Sequence, residues 1–220
     1  MFKLIVSIVP HDCGELITSA AAAKGAGGGT IMMARGTAQS NIIQLLGLGD
    51  TSKDIAYVIV DDSIYEDVRK EIIAGTENKK KSFGVLFSIN IGDFIKAGST
   101  GDFTGAEKAV SKDKEGEEMK YTVVNVIVNK GYADDAMAAA RKAGAGGGTI
   151  LSARGTAKEG DAKFLGMEIV PEKDLLMIVV PSENADNIVQ AIKDLPCMQK
   201  AGSGIIFCSK AHDFTLLGKN

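Results

Sequence analysis

Residues 25–38 read GAGGGTIMMARGTA, and residues 144–157 read GAGGGTILSARGTA. Twelve of the fourteen positions are identical, at an offset of 119. The same offset sets Phe2-Lys3-Leu4-Ile5-Val6 against Tyr121-Thr122-Val123-Val124-Asn125, and Leu46-Gly47 against Leu165-Gly166. The second copy then gains one residue and the offset becomes 120. Lys53-Asp54 faces Lys173-Asp174, Gly84-Val85-Leu86-Phe87 faces Gly204-Ile205-Ile206-Phe207, and Asp93-Phe94 faces Asp213-Phe214. Self-similarity at a fixed period means a structural unit used more than once. Here it divides the chain into a first copy at 1–96, a linker at 97–119 and a second copy at 120–220.

Each copy carries the same pattern of elements. Residues 2–9 are apolar and β-rich, a buried strand. Residues 12–24 place Leu16, Ile17, Ala20 and Ala21 at helical spacing, and Gly25 is a glycine stop. Residues 29–35 and 55–60 read as strands, with a loop at 37–54 between them. Residues 63–73 read as a helix opened by a capping box of Ser63 and Glu66, with Ile64, Val68 and Ile72 on one face. Residues 84–91 close the unit as a strand. The second copy repeats this at 121–128, 133–143, 148–154, 175–180, 184–193 and 204–210, with a loop at 156–174. The expected fold class is α+β, two tandem ferredoxin-like βαββαβ units. The strands are apolar on both faces (Leu4, Ile5, Val6; Val58, Ile59, Val60), so the face away from the helices also needs cover, in cis or by oligomerisation.

Bulk properties narrow the function classes. The 220 residues are 45% hydrophobic and 24% charged, ordinary for a globular protein, with net charge −3. No basic field for nucleic acid is present. No apolar run approaches the roughly 20 residues that span a bilayer. Three widely spaced cysteines, Cys13, Cys197 and Cys208, fit a reducing cytoplasm better than a disulfide framework. The linker, rich in Gly, Lys and Glu, has a solvated composition. Cys197 and Cys208 lack zinc-ligand spacing, and His11 and His212 are the only histidines. No catalytic pair stands out, and Asp61-Asp62 reads as helix capping.

The repeated glycine segment is where chemistry is expected. Glycines allow close approach of a ligand, successive backbone N–H groups form anion nests, and Arg35 or Arg154 can grip a phosphate or carboxylate by two parallel hydrogen bonds. Thr30, Thr37, Thr149 and Thr156 stand at the rim. The plain alternative is a tight helix-to-strand turn. Neither a Walker loop nor a dinucleotide fingerprint is present: no Gly-Lys-Ser/Thr follows, and the glycines open a strand rather than a helix.

Gly25, Gly28, Thr30, Ile31, Ala34, Arg35 and Gly36, repeated as Gly144, Gly147, Thr149, Ile150, Ala153, Arg154 and Gly155, together with Gly202-Ser203-Gly204-Ile205-Ile206-Phe207, resemble the PII nitrogen-regulatory family in both halves. That resemblance implies a regulator of enzymes or transporters, not an enzyme. It implies no required cofactor, an effector that is an adenine nucleotide (ATP, ADP or AMP) or another small anion, and a homotrimer. Thr30 and Thr149 would lie near the adenine. Gly36, Thr37 and Ala38, and Gly155, Thr156 and Ala157, would approach phosphates, with Gly202, Ser203 and Gly204 beside them. Loops 37–54 and 156–174 would dock on a membrane transporter or metabolic enzyme.

The chain departs from the family pattern in three places. The family's phosphate-binding lysine is Val85 in one copy and Ile205 in the other, its C-terminal arginines have no counterpart, and loop 37–54 holds no tyrosine. Each missing charge-assisted hydrogen bond removes about 1.5–3 kcal/mol, which disfavours a strong triphosphate grip. Two other readings stay open: an enzyme holding a phosphorylated substrate on Arg35 and Arg154, and a structural assembly that binds no ligand.

Overall fold

The computed structural model describes residues 2–37, 51–91, 120–155, 163–164, 167–168, 172–199 and 203–219. The linker at 97–119, most of loops 37–54 and 156–174, and the site candidates Ala38, Thr156, Ala157 and Gly202 lie outside them. The elements run β1 (Phe2–Pro10), α1 (Gly14–Ala23), β2 (Thr30–Gly36), β3 (Thr51–Asp61), α2 (Asp62–Thr76) and β4 (Gly84–Ile91). There follow β5 (Tyr121–Asn129), α3 (Ala133–Lys142), β6 (Thr149–Arg154), a short hairpin of β7 (Lys163–Phe164) and β8 (Met167–Glu168), β9 (Glu172–Pro181), α4 (Ser182–Lys193), a 3-10 turn (Pro196–Met198) and β10 (Gly204–Leu217).

Two compact units interleave along the chain. Unit 1 comprises Met1–Met33, Lys53–Lys120 and Lys210–Asn220, and unit 2 comprises Ala34–Ser52 and Tyr121–Ser209. The end of β2 thus belongs with the second copy, and the end of β10 with the first.

In unit 1, β1 is flanked by β3 and β4, both antiparallel, with Leu4 opposite Ile59 on one side and Ile89 on the other. The last turns of β10 extend this sheet beyond β4, pairing Thr215 with Leu86 and Leu217 with Gly84. Helices α1 and α2 cover one face. Alternation along β1 sends Ile5 and Val9 toward them, where they join Ile17 and Ala21 of α1 and Tyr65, Val68 and Ile72 of α2. Residues 65, 68 and 72 recur at three- and four-residue spacing, which sets them on one stripe of α2. Full burial of each large side chain contributes about 1.5–3 kcal/mol. Val6 and Ile8, on the opposite face of β1, are buried as well.

Unit 2 has the same plan. β9 lies between β5 and β6, and Met177 stands opposite Asn125 on one side and Thr149 on the other. Val124, Val126 and Val128 of β5 pack against Met137 and Ala140 of α3 and Ile188 and Ile192 of α4. The end of β2 pairs with β6, Arg35 with Ile150 and Gly36 with Thr149.

The structure corrects the sequence reading at three points. Residues 51–54 and 172–174 are strand, not loop, because Asp54 and Asp174 are buried anchors rather than solvated charges. Asp54 accepts the Gly14 N–H at 3.0 Å and Asp174 the Gly131 N–H at 3.0 Å. Helix α2 is capped by Asp61, not by Ser63 and Glu66: the Asp61 carboxylate accepts the Ser63 N–H at 2.9 Å and its hydroxyl at 2.7 Å. β10 continues to Leu217 instead of ending at 210, past a register shift between His212 and Thr215 where Asp213 takes φ 53°. That bulge breaks the alternation that would have revealed the strand. Beyond it the Tyr65 hydroxyl donates to the Asp213 carboxylate at 2.7 Å and lies 3.0 Å from the Ser88 hydroxyl. Arg69 donates to the Thr215 hydroxyl at 2.8 Å.

Gly84 is required where β4 starts, since a Cβ there would lie 2.4 Å from the Ile8 carbonyl oxygen. Gly84→Ala is expected to cost about 1–3 kcal/mol in urea unfolding, as overpacked sites do. Gly27→Ala, where no atom lies within 4 Å of the added carbon, should change stability by less than about 1 kcal/mol. Equal costs at the two positions would show that the close approach at Ile8 is not maintained in solution.

Candidate functional site

Helix α1 stops because Gly25 adopts φ 91°, which lets the N–H groups of Gly25 and Ala26 fold back onto the carbonyls of Ala22 and Ala21 at 3.0 and 3.1 Å. The chain then runs through Gly27, Gly28 and Gly29 before Thr30 opens β2. This turn forms one wall of a cleft of about 630 Å³ in unit 1. Phe2 and Leu4 of β1, Tyr57, Ile59 and Val60 of β3, and Ile64 of α2 supply its apolar walls. The polar residues of its lining are Thr30, Tyr57 and Asp61, with the glycine turn beside them; among the described residues no lysine or arginine lines it. Burial raises the Tyr57 phenol above its ordinary value, so it stays a neutral donor. The Ser63 hydroxyl and N–H hold the Asp61 carboxyl below the ordinary carboxylate range.

The same turn in unit 2 has a different fate. Thr149 is 6% exposed and Ile150 2%, whereas Thr30 is exposed and Ile31 is 39% exposed. The Thr37 N–H donates to the Gly148 carbonyl at 2.9 Å, and its hydroxyl lies 3.0 Å from the same oxygen and accepts the Gly148 N–H at 2.9 Å. The Arg141 guanidinium donates to the Thr37 carbonyl. Arg35 forms a bidentate pair with Asp134, at 3.1 and 2.9 Å.

The candidates from the sequence are therefore dispersed. Thr30 lines the cleft. Arg35, expected to grip an anion, holds the Asp134 carboxylate. Gly36 and Thr37 are buried partners of Thr149 and Gly148. Arg154 is exposed at the end of β6, opposite Glu172, and Gly155 follows it, half-buried. Ser203 and Gly204 sit at the start of β10, where a Cβ on Gly204 would lie 2.6 Å from the Ile127 carbonyl oxygen. Among the described residues no group of three or more His, Cys, Asp and Glu is placed to hold a metal, and no helix is long and apolar enough to cross a membrane.

Two polar features of unit 1 escaped the sequence reading. One is the Tyr65–Ser88–Asp213 cluster, which unites residues with no shared motif. The other is His11, whose Nδ1 lies 2.9 Å from Asp54 Oδ1. Its signal was present: Asp54 recurs as Asp174 in the second copy, in the same anchoring role.

Residues 121–217 match the family model of nitrogen regulatory protein P-II. The C-terminal part, β5 to β10, is thus a PII-like ferredoxin-like fold. P-II proteins bind small effectors and act as regulators rather than enzymes. Among solved structures, the crystal structure of Arabidopsis thaliana PII bound to citrate is similar over 43% of this chain and 78% of that chain, at 21% identity and a TM-score of 0.34. No match was found among curated proteins.

The His11–Asp54 pair makes stability depend on pH. The Asp54 hydrogen bond, then the Asp12 charge, raise the His11 pKa above its ordinary value. For Asp54, burial pushes upward, but the His11 and Gly14 hydrogen bonds outweigh it and the net direction is down. The histidine's contribution is full below about pH 6.5 and is lost as pH rises through its folded value; the aspartate's is full above about pH 4 and is lost as pH falls through its folded value. The melting temperature of His11→Gln should therefore fall furthest below wild type between about pH 4 and 6.5, and approach it at pH 8. A deficit independent of pH would assign His11 a packing role alone.

Proposed function

We propose that this chain is a PII-like regulator, with both copies of the repeat built as ferredoxin-like units, and that its effector enters the cleft beside Gly25–Thr30 in unit 1. The observation that carries the reading is the coincidence of the family's Gly-x-x-Gly-x-Thr segment with an apolar cleft floored by Ile59 and edged by the Thr30 and Tyr57 hydroxyls. Such a cleft suits a planar, weakly polar ring: apolar walls bury the faces, and a few hydroxyl and backbone groups fix its edge. An adenine nucleotide fits, with the base inside. Among the described residues the lining offers no lysine or arginine, and Asp61 would repel a phosphate drawn close, so the base rather than the phosphates supplies the affinity. Binding would bias the segments at 37–54 and 156–174, through which the protein docks on a transporter or metabolic enzyme. The assembly we favour is a homotrimer acting in the cytoplasm.

Calorimetric titration with AMP, ADP and ATP tests this. The three should bind within about tenfold of one another, since added phosphates gain no charge-assisted partner in the cleft. Thr30→Ala should weaken each by about 2- to 12-fold, the loss of one hydrogen bond of about 0.5–1.5 kcal/mol. No saturable heat with any of them would overturn the nucleotide reading.

A further inference from the structure

Two nearly identical glycine turns in one chain raise the question of how many ligands it takes. The turns differ in what covers them. In unit 2, Gly148, the last glycine before β6, has both backbone groups engaged by Thr37: its carbonyl by the Thr37 N–H at 2.9 Å and its N–H by the Thr37 hydroxyl at 2.9 Å. These are the groups a glycine turn would offer to a ligand's edge. Thr37 is itself held from two sides by α3: Asp134 in the first turn takes Arg35, and Arg141 in the last turn takes the Thr37 carbonyl. The segment of residues 35–37 is thereby fastened over the second turn, leaving Thr37 and Thr149 each only 6% exposed.

Among the described residues none takes the Gly29 backbone as Thr37 takes that of Gly148, and the sequence offers a reason. At the offset of 119, Asp134 corresponds to Glu15 and Arg141 to Ala22. Helix α1 retains the carboxylate but has no guanidinium in its last turn, so it cannot clasp a strand end as α3 does. Thr30 accordingly stays exposed at the mouth of its cleft, while its counterpart Thr149 is covered.

We infer that the duplicated site has been divided in two: the first copy's turn takes the effector, and the β6 end of the second copy's turn, at Gly148 and Thr149, is permanently occupied by the chain's own Gly36–Thr37, with Thr37 as resident occupant and Arg141 as its lock. The chain then binds one effector, not two. This rests on the reading of the unit 1 cleft given above.

The test is the stoichiometry of AMP measured by calorimetry, read together with hydrogen exchange at the Gly148 amide. Wild type should take one AMP per chain and exchange Gly148 slowly. Thr30→Trp, a substitution at an exposed position that fills the first cleft, should take none while keeping the wild-type circular dichroism spectrum. Thr37→Ala combined with Arg141→Gln should exchange Gly148 at least tenfold faster and gain a second, weaker site. Two AMP per chain in wild type, or one remaining in Thr30→Trp, would overturn the division while leaving the effector reading intact. Absence of AMP binding to wild type would overturn the effector reading and the ligand half of this proposal. The filled second turn would then stand on slow Gly148 exchange that the double variant releases, and fall if exchange is fast in wild type.

Discussion

A β-sheet edge exposes a row of N–H and C=O groups, and something must cover it. Each unit of this protein meets that demand with chain from far away in sequence. In unit 2, the edge of β6 is met by Arg35, Gly36 and Thr37, which lie more than a hundred positions upstream of Thr149 and Gly148. In unit 1, the edge of β4 is met by the last turns of β10. On the helix side, α1 and α2 bury their apolar stripes against β1 and β3, and α3 and α4 against β5 and β9. The borrowed edges set where each unit ends and which backbone groups remain available to a ligand.

Duplicated sequence therefore does not mean duplicated chemistry. Residues 25–38 and 144–157 differ at two positions, yet one turn lines an open cleft and the other has the backbone of Gly148 taken by Thr37. The difference originates outside the motif, on the preceding helix, where arginine replaces alanine. Arg141 supplies a charged donor to a backbone carbonyl, among the stronger hydrogen bonds available to a protein. It is partnered by the Arg35–Asp134 pair, which is exposed and contributes modestly by itself. Their joint effect is positional: together they bring Thr37 to the one place where its hydroxyl can satisfy Gly148.

Much of the fold was legible in the residues. The repeat, the order of strands and helices and the glycine stop at Gly25 follow from spacing, because buried stripes on helices and apolar runs in strands leave periodic traces. The missed parts are those where one buried contact reverses the meaning of a residue. Asp54 and Asp174 looked like loop charges because burial of an aspartate is visible only once the backbone amide that donates to it, at Gly14 or Gly131, is in place. The end of β10 was missed because the bulge at Asp213 shifts the alternation. The site was less legible. Thr30 lines a cleft, whereas Arg35 looked like an anion grip because nothing in its neighbourhood of sequence announces Asp134, ninety-nine positions away.

The far-reaching edge of unit 1 also sets an order of events in biosynthesis. Phe2 through Ile91 leave the ribosome before the second copy, but the Tyr65 hydroxyl gains the Asp213 carboxylate, and the Phe83 N–H the Leu217 carbonyl, only after residues 120–217 have been made. Contacts of such separation are slow to close and leave an unpaired strand waiting. The first copy is thus translated before the second and completed after it. Throughout synthesis of the second copy, the edge of β4 at Gly84–Leu86 lacks the partner that Thr215–Leu217 later supply, and the nascent chain must keep it from other strands until they arrive.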